Sequence, residues 1–124
     1  MEIGFRPSAN GRADPGEVVW AWIPYEDDPT RGKDRPAIVL AVEGEHVVVL
    51  PMTSKDHDRD AAQEAHDGRL WMDVGSGPWD ARGRPSEVRV NRTVRIEEAK
   101  VRREGAALSV EIFAEVVAAW KAAQ

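Results

Sequence analysis

The sequence predicts a small, mainly β domain closed by one C-terminal helix, an α+β arrangement. Three observations carry that expectation. Between residues 16 and 51 three apolar stretches rich in Val, Ile and Trp are separated by short polar or Gly-containing segments, as consecutive strands are. Two shorter stretches, 87–90 and 93–96, alternate apolar and polar residues. From Val110 to Trp120 the apolar spacing changes to that of a helix.

The first strand is expected over 16–24, where Val18, Val19, Trp20, Trp22 and Ile23 are fenced by Pro15-Gly16 and Pro24. By period two, Trp20 and Trp22 share one face and Val19 and Ala21 the other, which favours core or subunit contact for both Trp over base stacking. The second strand is expected over 36–42, a short continuous apolar run whose Ile and two Val favour a buried strand over a helix. Pro36 would open it, at a position that tolerates a missing donor. Glu43-Gly44-Glu45 then marks a hairpin into a third strand over 46–51.

Residues 55–68 are polar throughout, and their Ala, Gln and Glu content allows a short helix stopped by Gly68 or a loop. Asp56, Asp58 and Asp60 imitate the start of a calcium loop, but Ala61 and Asp67 stand where that loop needs Gly and Glu. His57 and His66 are read as solvated side chains and not as metal ligands. A strand is expected over 69–74 with Leu70, Met72 and Val74 on one side. The segment 75–86 is too rich in Gly and Pro for regular structure; its glycines make no phosphate-binding fingerprint, and Trp79 and Arg82 are candidate groove-wall residues. The stretches 87–90 and 93–96 form either one bulged strand or two short ones. Ser109 is the expected N-cap of the closing helix, whose stripe is Val110, Phe113, Val116, Val117 and Trp120, with Glu111, Glu115 and Lys121 on the wet face.

A chain of 124 residues with 42% apolar content is one domain with a modest core. Its expected limits are 15–124, preceded by a flexible N-terminal arm over 1–14 with little apolar material. Zero cysteines exclude disulfides, thiolate metal sites and a Cys nucleophile. No stretch approaches the ~18 apolar residues of a membrane span and no signal-peptide core opens the chain, so no membrane association and a cytoplasmic location are expected. The net charge of −5 argues against nucleic-acid binding through bulk charge. Its distribution is uneven. Residues 82–103 hold eight Arg or Lys against three Glu, and residues 54–80 hold seven acids against three bases. Intramolecular pairing, a basic patch beside an acidic wall, and plain solvated faces all fit that pattern.

Chemistry is concentrated at Arg31-Gly32-Lys33-Asp34-Arg35-Pro36 and at Pro51-Met52-Thr53-Ser54, where two strand ends can deliver a guanidinium, an ammonium and two hydroxyls to one phosphate. The order of Gly-acidic-Val-Val-Trp, a charged loop closing on Arg-Pro, an apolar strand from Pro36, and a strand ending Pro-x-Thr-Ser resembles the MazF/PemK family of toxin endoribonucleases. The resemblance covers the first half of the chain closely and the terminal helix loosely. It implies a small SH3-like barrel of the MazF/PemK type and a catalytic pair at Arg35 and Thr53. Lys33, Asp34, Ser54, Lys55, His57 and Arg82 complete the candidate RNA-binding set. It further implies metal-independent cleavage of single-stranded RNA by 2′-OH attack, a homodimer, and a cognate antitoxin whose acidic and apolar tail fills the groove and with which the toxin binds DNA. No cofactor and no metal are expected.

The chain departs from the family in an insertion, Tyr25-Glu26-Asp27-Asp28-Pro29, and in Ala21 and Trp22 where many relatives carry an acid. The general base stays open, with Asp34 and His57 nearest in sequence. The bland alternative for Arg35 is an ion pair with Asp34 or Glu17. Two rival functions remain, a non-catalytic SH3-like peptide-binding module and a gyrase-poisoning toxin of similar fold.

Overall fold

The structure, a computed structural model, describes residues 13–54 and 68–124. The 55–68 stretch, with Lys55, His57, His66 and the aspartates of the rejected calcium loop, falls outside the described residues except for Gly68, and so do residues 1–12 of the expected arm. Ala13 and Asp14, also assigned to that arm, belong to the folded body. Ala13 is buried and its N–H donates to Glu98 Oε2 at 3.0 Å.

Among the described residues seven strands and one α-helix follow in order, with a 3-10 turn over Glu98–Lys100: β1 (Glu17–Pro24), β2 (Gly32–Glu43), β3 (His46–Thr53), β4 (Trp71–Gly75), β5 (Ser86–Arg89), β6 (Val94–Glu97), β7 (Arg102–Ala107) and α1 (Val110–Ala122). They make one antiparallel sheet in the order β4-β5-β3-β2-β1-β7, with β6 also pairing β3. The sheet curls into a half-barrel and the C-terminal helix α1 lies on one of its faces, the expected mainly β fold.

Period two explains why both faces are buried. Val18, Ile38, Leu50 and Met52 point to one cluster, which Trp79, Val88, Phe113 and Val116 complete. Val19, Ala21, Ala37, Val39, Val47 and Val49 point to the other, closed by Ala13, Val94 and Ile96. Strands buried on both faces read as continuous apolar runs, the pattern of β2 and β3.

β2 begins four residues before Pro36, because 32–35 extend the pairing with β1 through Gly32↔Pro24 to Arg35↔Ala21. Pairing with β3 starts only at Ala37↔Pro51, so Pro36 lies within the strand where one flank is open, a place that tolerates proline. Trp22 packs over Gly32, where a Cβ would come within 2.5 Å of the ring, and is 52% exposed. It therefore lies outside the core, whereas Trp20 is half-buried and donates Nε1–H to Trp79 O at 3.0 Å.

The stretches 87–90 and 93–96 become two strands, β5 and β6, which cover successive parts of the same flank of β3. β7 has no sequence signal because Arg102-Arg103-Glu104-Gly105-Ala106-Ala107 lacks β-branched residues. It is a strand because β1 offers it an edge and Glu17 takes both Nε and Nη2 of Arg103, at 2.9 and 2.6 Å. Ser109 caps α1, its Oγ accepting from Ile112 N at 3.2 Å. The helix buries Phe113 and Val116, with Val117 and Trp120 partly covered, while Val110 is 51% exposed on the first turn.

Candidate functional site

Arg35 and Thr53 each stand two residues beyond the last β2–β3 pair, Ala37↔Pro51, so the flared end of one hairpin carries both. A cavity of about 130 Å³ opens there, lined by Lys33, Asp34 and Arg35 from β2 and by Thr53 and Ser54 from the end of β3. Trp20 and Met52 form its apolar part, and Asp80, Arg84 and Ser86 bound it from the segment before β5.

That segment is fixed by its own hydrogen bonds. Trp79 is buried, with Nε1–H donated to Ser86 Oγ at 3.0 Å and its carbonyl taken by Trp20. Trp79 is thus a core residue and not the exposed groove wall expected of it. Gly77 lies flat on the Trp79 ring, where a Cβ would come within 2.2 Å of a ring carbon, so no other residue fits without displacement. Asp80 accepts from Arg82 N–H at 2.8 Å in an Asx turn and from Arg84 Nε at 2.8 Å. These bonds hold the Asp80 carboxyl below its ordinary value, the backbone N–H of Arg82 contributing most. The turn sends Arg84 to the cavity; Arg82 does not line it. Sequence reasoning named Arg82 and missed Arg84, since two arginines two residues apart in an irregular segment cannot be told apart without the turn that aims them.

The acids that would make Arg35 an ordinary ion-pair residue are engaged elsewhere. Asp34 pairs with Arg102 and Glu17 with Arg103. Arg35 is half-buried, and among the described residues its Nε is buried without a hydrogen-bond partner. Burial lowers the pKa of its guanidinium from the ordinary arginine value, partly offset by Tyr25. A partly desolvated cation with no carboxylate partner among the described residues is stabilised by an anion that reaches its exposed edge.

The basic run over 82–103 is largely consumed by intramolecular pairs. Arg84 pairs with Asp80, Arg89 with Glu26, Arg95 with Glu43, Arg102 with Asp34 and Arg103 with Glu17. Among the described residues no group of three or more His, Asp or Glu is placed to hold a metal ion, and no helix is long and apolar enough to cross a membrane.

Residues 14–123 match the family of PemK-like, MazF-like toxins of type II toxin-antitoxin systems. The chain belongs to that toxin family. Among solved structures, the MazE-MazF complex of Deinococcus radiodurans contains a chain similar to the toxin, with a TM-score of 0.59 over 89% of this chain and 93% of that one. At 16% identity the likeness is one of fold. A comparison with curated proteins finds no match.

Proposed function

We propose that this toxin is an endoribonuclease that cleaves single-stranded RNA without a metal, using Arg35 and Thr53. The observation that carries the reading is the half-buried Arg35, without an ion-pair partner among the described residues, in one cavity with Thr53, Ser54 and Lys33. In this reaction the 2′ oxygen attacks the adjacent phosphorus, the bond from phosphorus to the 5′ oxygen breaks, and the products end in a 2′,3′-cyclic phosphate and a 5′-OH. Arg35 binds the phosphate oxygens and stabilises the charge that grows on them in the transition state. Thr53 and Ser54 donate to the same oxygens, and Lys33 steers the strand from the rim.

The 2′ proton needs an acceptor and the 5′ oxygen a donor. Asp80 has both carboxylate oxygens committed to its own turn, which leaves Asp34, held in place by Arg102 through Oδ2, as the better placed carboxylate of the cavity. The remainder of the reading is a cytoplasmic homodimer, inhibited by an antitoxin whose acidic and apolar tail offers carboxylates where RNA offers phosphates.

Incubating the purified toxin with a long RNA, with and without chelator, tests this directly. Fragments with cyclic phosphate and 5′-OH ends, equally abundant in chelator and absent with Arg35→Ala, are expected. Activity lost in chelator and restored by a divalent ion would refute the mechanism.

A further inference from the structure

A second cavity, of about 270 Å³, adjoins the first at Arg35, which lines both. It brings together four arginines, Arg35, Arg69, Arg89 and Arg92, and two rings, Tyr25 and Trp71. We propose that this cavity seats a nucleotide next to the scissile phosphate of a single-stranded RNA, its base stacked on Trp71 and Tyr25 and its phosphate held by the arginine cluster. The proposal rests on the ribonuclease reading above and extends it to the positioning of the strand.

Continuity is the first argument. An RNA with one phosphate on Arg35 has to run onward, and the larger cavity shares Arg35 with the first. Charge is the second. The four arginines face two carboxylates, Glu26 and Asp27, a local excess of cations on a chain whose net charge is −5. Glu26 is already taken by Arg89, which donates Nη1–H and Nη2–H to its two oxygens at 3.0 and 3.1 Å. Burial lowers the pKa of Arg92 from the ordinary arginine value, Glu26 raises it, and the fields of Arg89 and Arg35 lower it further. Crowded, partly dry cations are stabilised by an arriving anion.

Pre-organisation is the third argument. Arg92 is tied to Pro24 O at 2.7 Å, Arg89 is buried and bonded to Glu26 and Asn91, and Trp71 sits opposite Arg89 in the β4–β5 register. Fixed groups lose little freedom on binding. The rings decide the class of ligand, because a cation cluster with aromatic faces is how single strands are gripped through phosphate and base together. An acidic peptide would use the arginines and leave both rings without a role. Tyr25 and Glu26 come from the segment between β1 and β2, so the cavity joins that segment to β4 and β5.

The test starts from a cut site mapped on wild-type toxin with a long RNA. An oligonucleotide spanning that site, with a 2′-deoxy group at the cut nucleotide, is then bound without being cleaved. Trp71→Leu and Arg92→Gln are each expected to weaken binding, Trp71→Leu by about 5-fold to 150-fold, the range of one lost base stack. Oligonucleotides with a single abasic position, walked outward from the cut, should reveal one neighbour whose loss weakens wild-type binding and adds nothing further to Trp71→Leu. Melting curves confirm that both variants are folded, and Tyr25→Leu serves in place of either that is not. Wild-type affinity in the folded variants would overturn the subsite while leaving the ribonuclease reading intact. So would a Trp71→Leu loss that multiplies with every abasic position. If Trp71→Leu spared the oligonucleotide and instead weakened binding of an acidic peptide, the cavity would be a peptide site and the proposal wrong. Wild-type toxin that neither binds nor cuts RNA would remove both readings together.

Discussion

Replacing Arg35 by Met should stabilise the fold while removing activity. Met matches the apolar stem of arginine and deletes the charge. The native side chain holds Nε buried without a partner among the described residues, and none of their carboxylates forms an ion pair with its guanidinium. A buried donor left unsatisfied costs about 1–3 kcal/mol, so removing it should return part of that amount, less whatever packing the stem loses. For a domain of this size 1 kcal/mol moves Tm by a few degrees. The expected result is a Tm unchanged or raised by a few degrees, with cleavage reduced about 100-fold to 1000-fold through loss of the electrostatic donor. Thermal melts and single-turnover cleavage of a fluorogenic RNA measure the two quantities on the same preparations. A fall in Tm of ten degrees or more, with cleavage per folded molecule preserved, would refute the reasoning and make Arg35 a structural cation. Arg35→Ala should lose activity similarly but gain less stability, because it also empties the wall between the two cavities.

Lys33→Ala is expected to raise KM more than it lowers kcat and to reduce the salt slope of RNA binding by about 0.7, the contribution of one phosphate contact to a single strand; titrations between low and moderate salt read this out. Glu26 bears on acid stability. Its carboxyl is held below the ordinary value of 4.5, first by the hydrogen bond from Arg89. A depressed carboxyl stabilises the fold above its unfolded pKa, and that contribution disappears as pH falls through the folded one. Urea denaturation from pH 7 to pH 3 should therefore show wild-type stability declining below about 4.5, and Glu26→Gln should flatten part of the decline. The same variant should cost about 1–3 kcal/mol at pH 7, since buried Arg89 loses its counter-charge and one of the two acceptors it donates to. Gly77→Ala should cost about 1–3 kcal/mol by overpacking against the Trp79 ring. Circular-dichroism melts would detect that loss, and a variant as stable as wild type would show that the ring has room to move.

The strands β1, β2 and β3 and the closing helix were legible in the sequence because each depends on a local rule. Alternating or continuous apolar residues need a sheet to bury them, Gly44 supplies the positive φ of the hairpin turn, and Ser109 supplies an acceptor for an uncapped N–H. The grouping of Lys33, Asp34, Arg35, Thr53 and Ser54 could also be anticipated, since one hairpin places the two strand ends side by side. What no local rule carries is the fate of charges and edges. Arg102 and Arg103 look like surface cations in the chain, yet the pairing of β7 with β1 delivers them to Asp34 and Glu17 and thereby leaves Arg35 to face an open cavity. β7 itself is a strand only because β1 has a free edge. Arg84 replaces Arg82 at the rim because an Asx turn at Asp80 sets the direction of the chain. The second cavity joins the segment after β1 to β4 and to the turn after β5, segments that meet only through the sheet order β4-β5-β3-β2-β1. Periodicity fixes which face a residue takes, whereas the partner that a charge finds depends on register between distant strands, which the sequence does not encode locally.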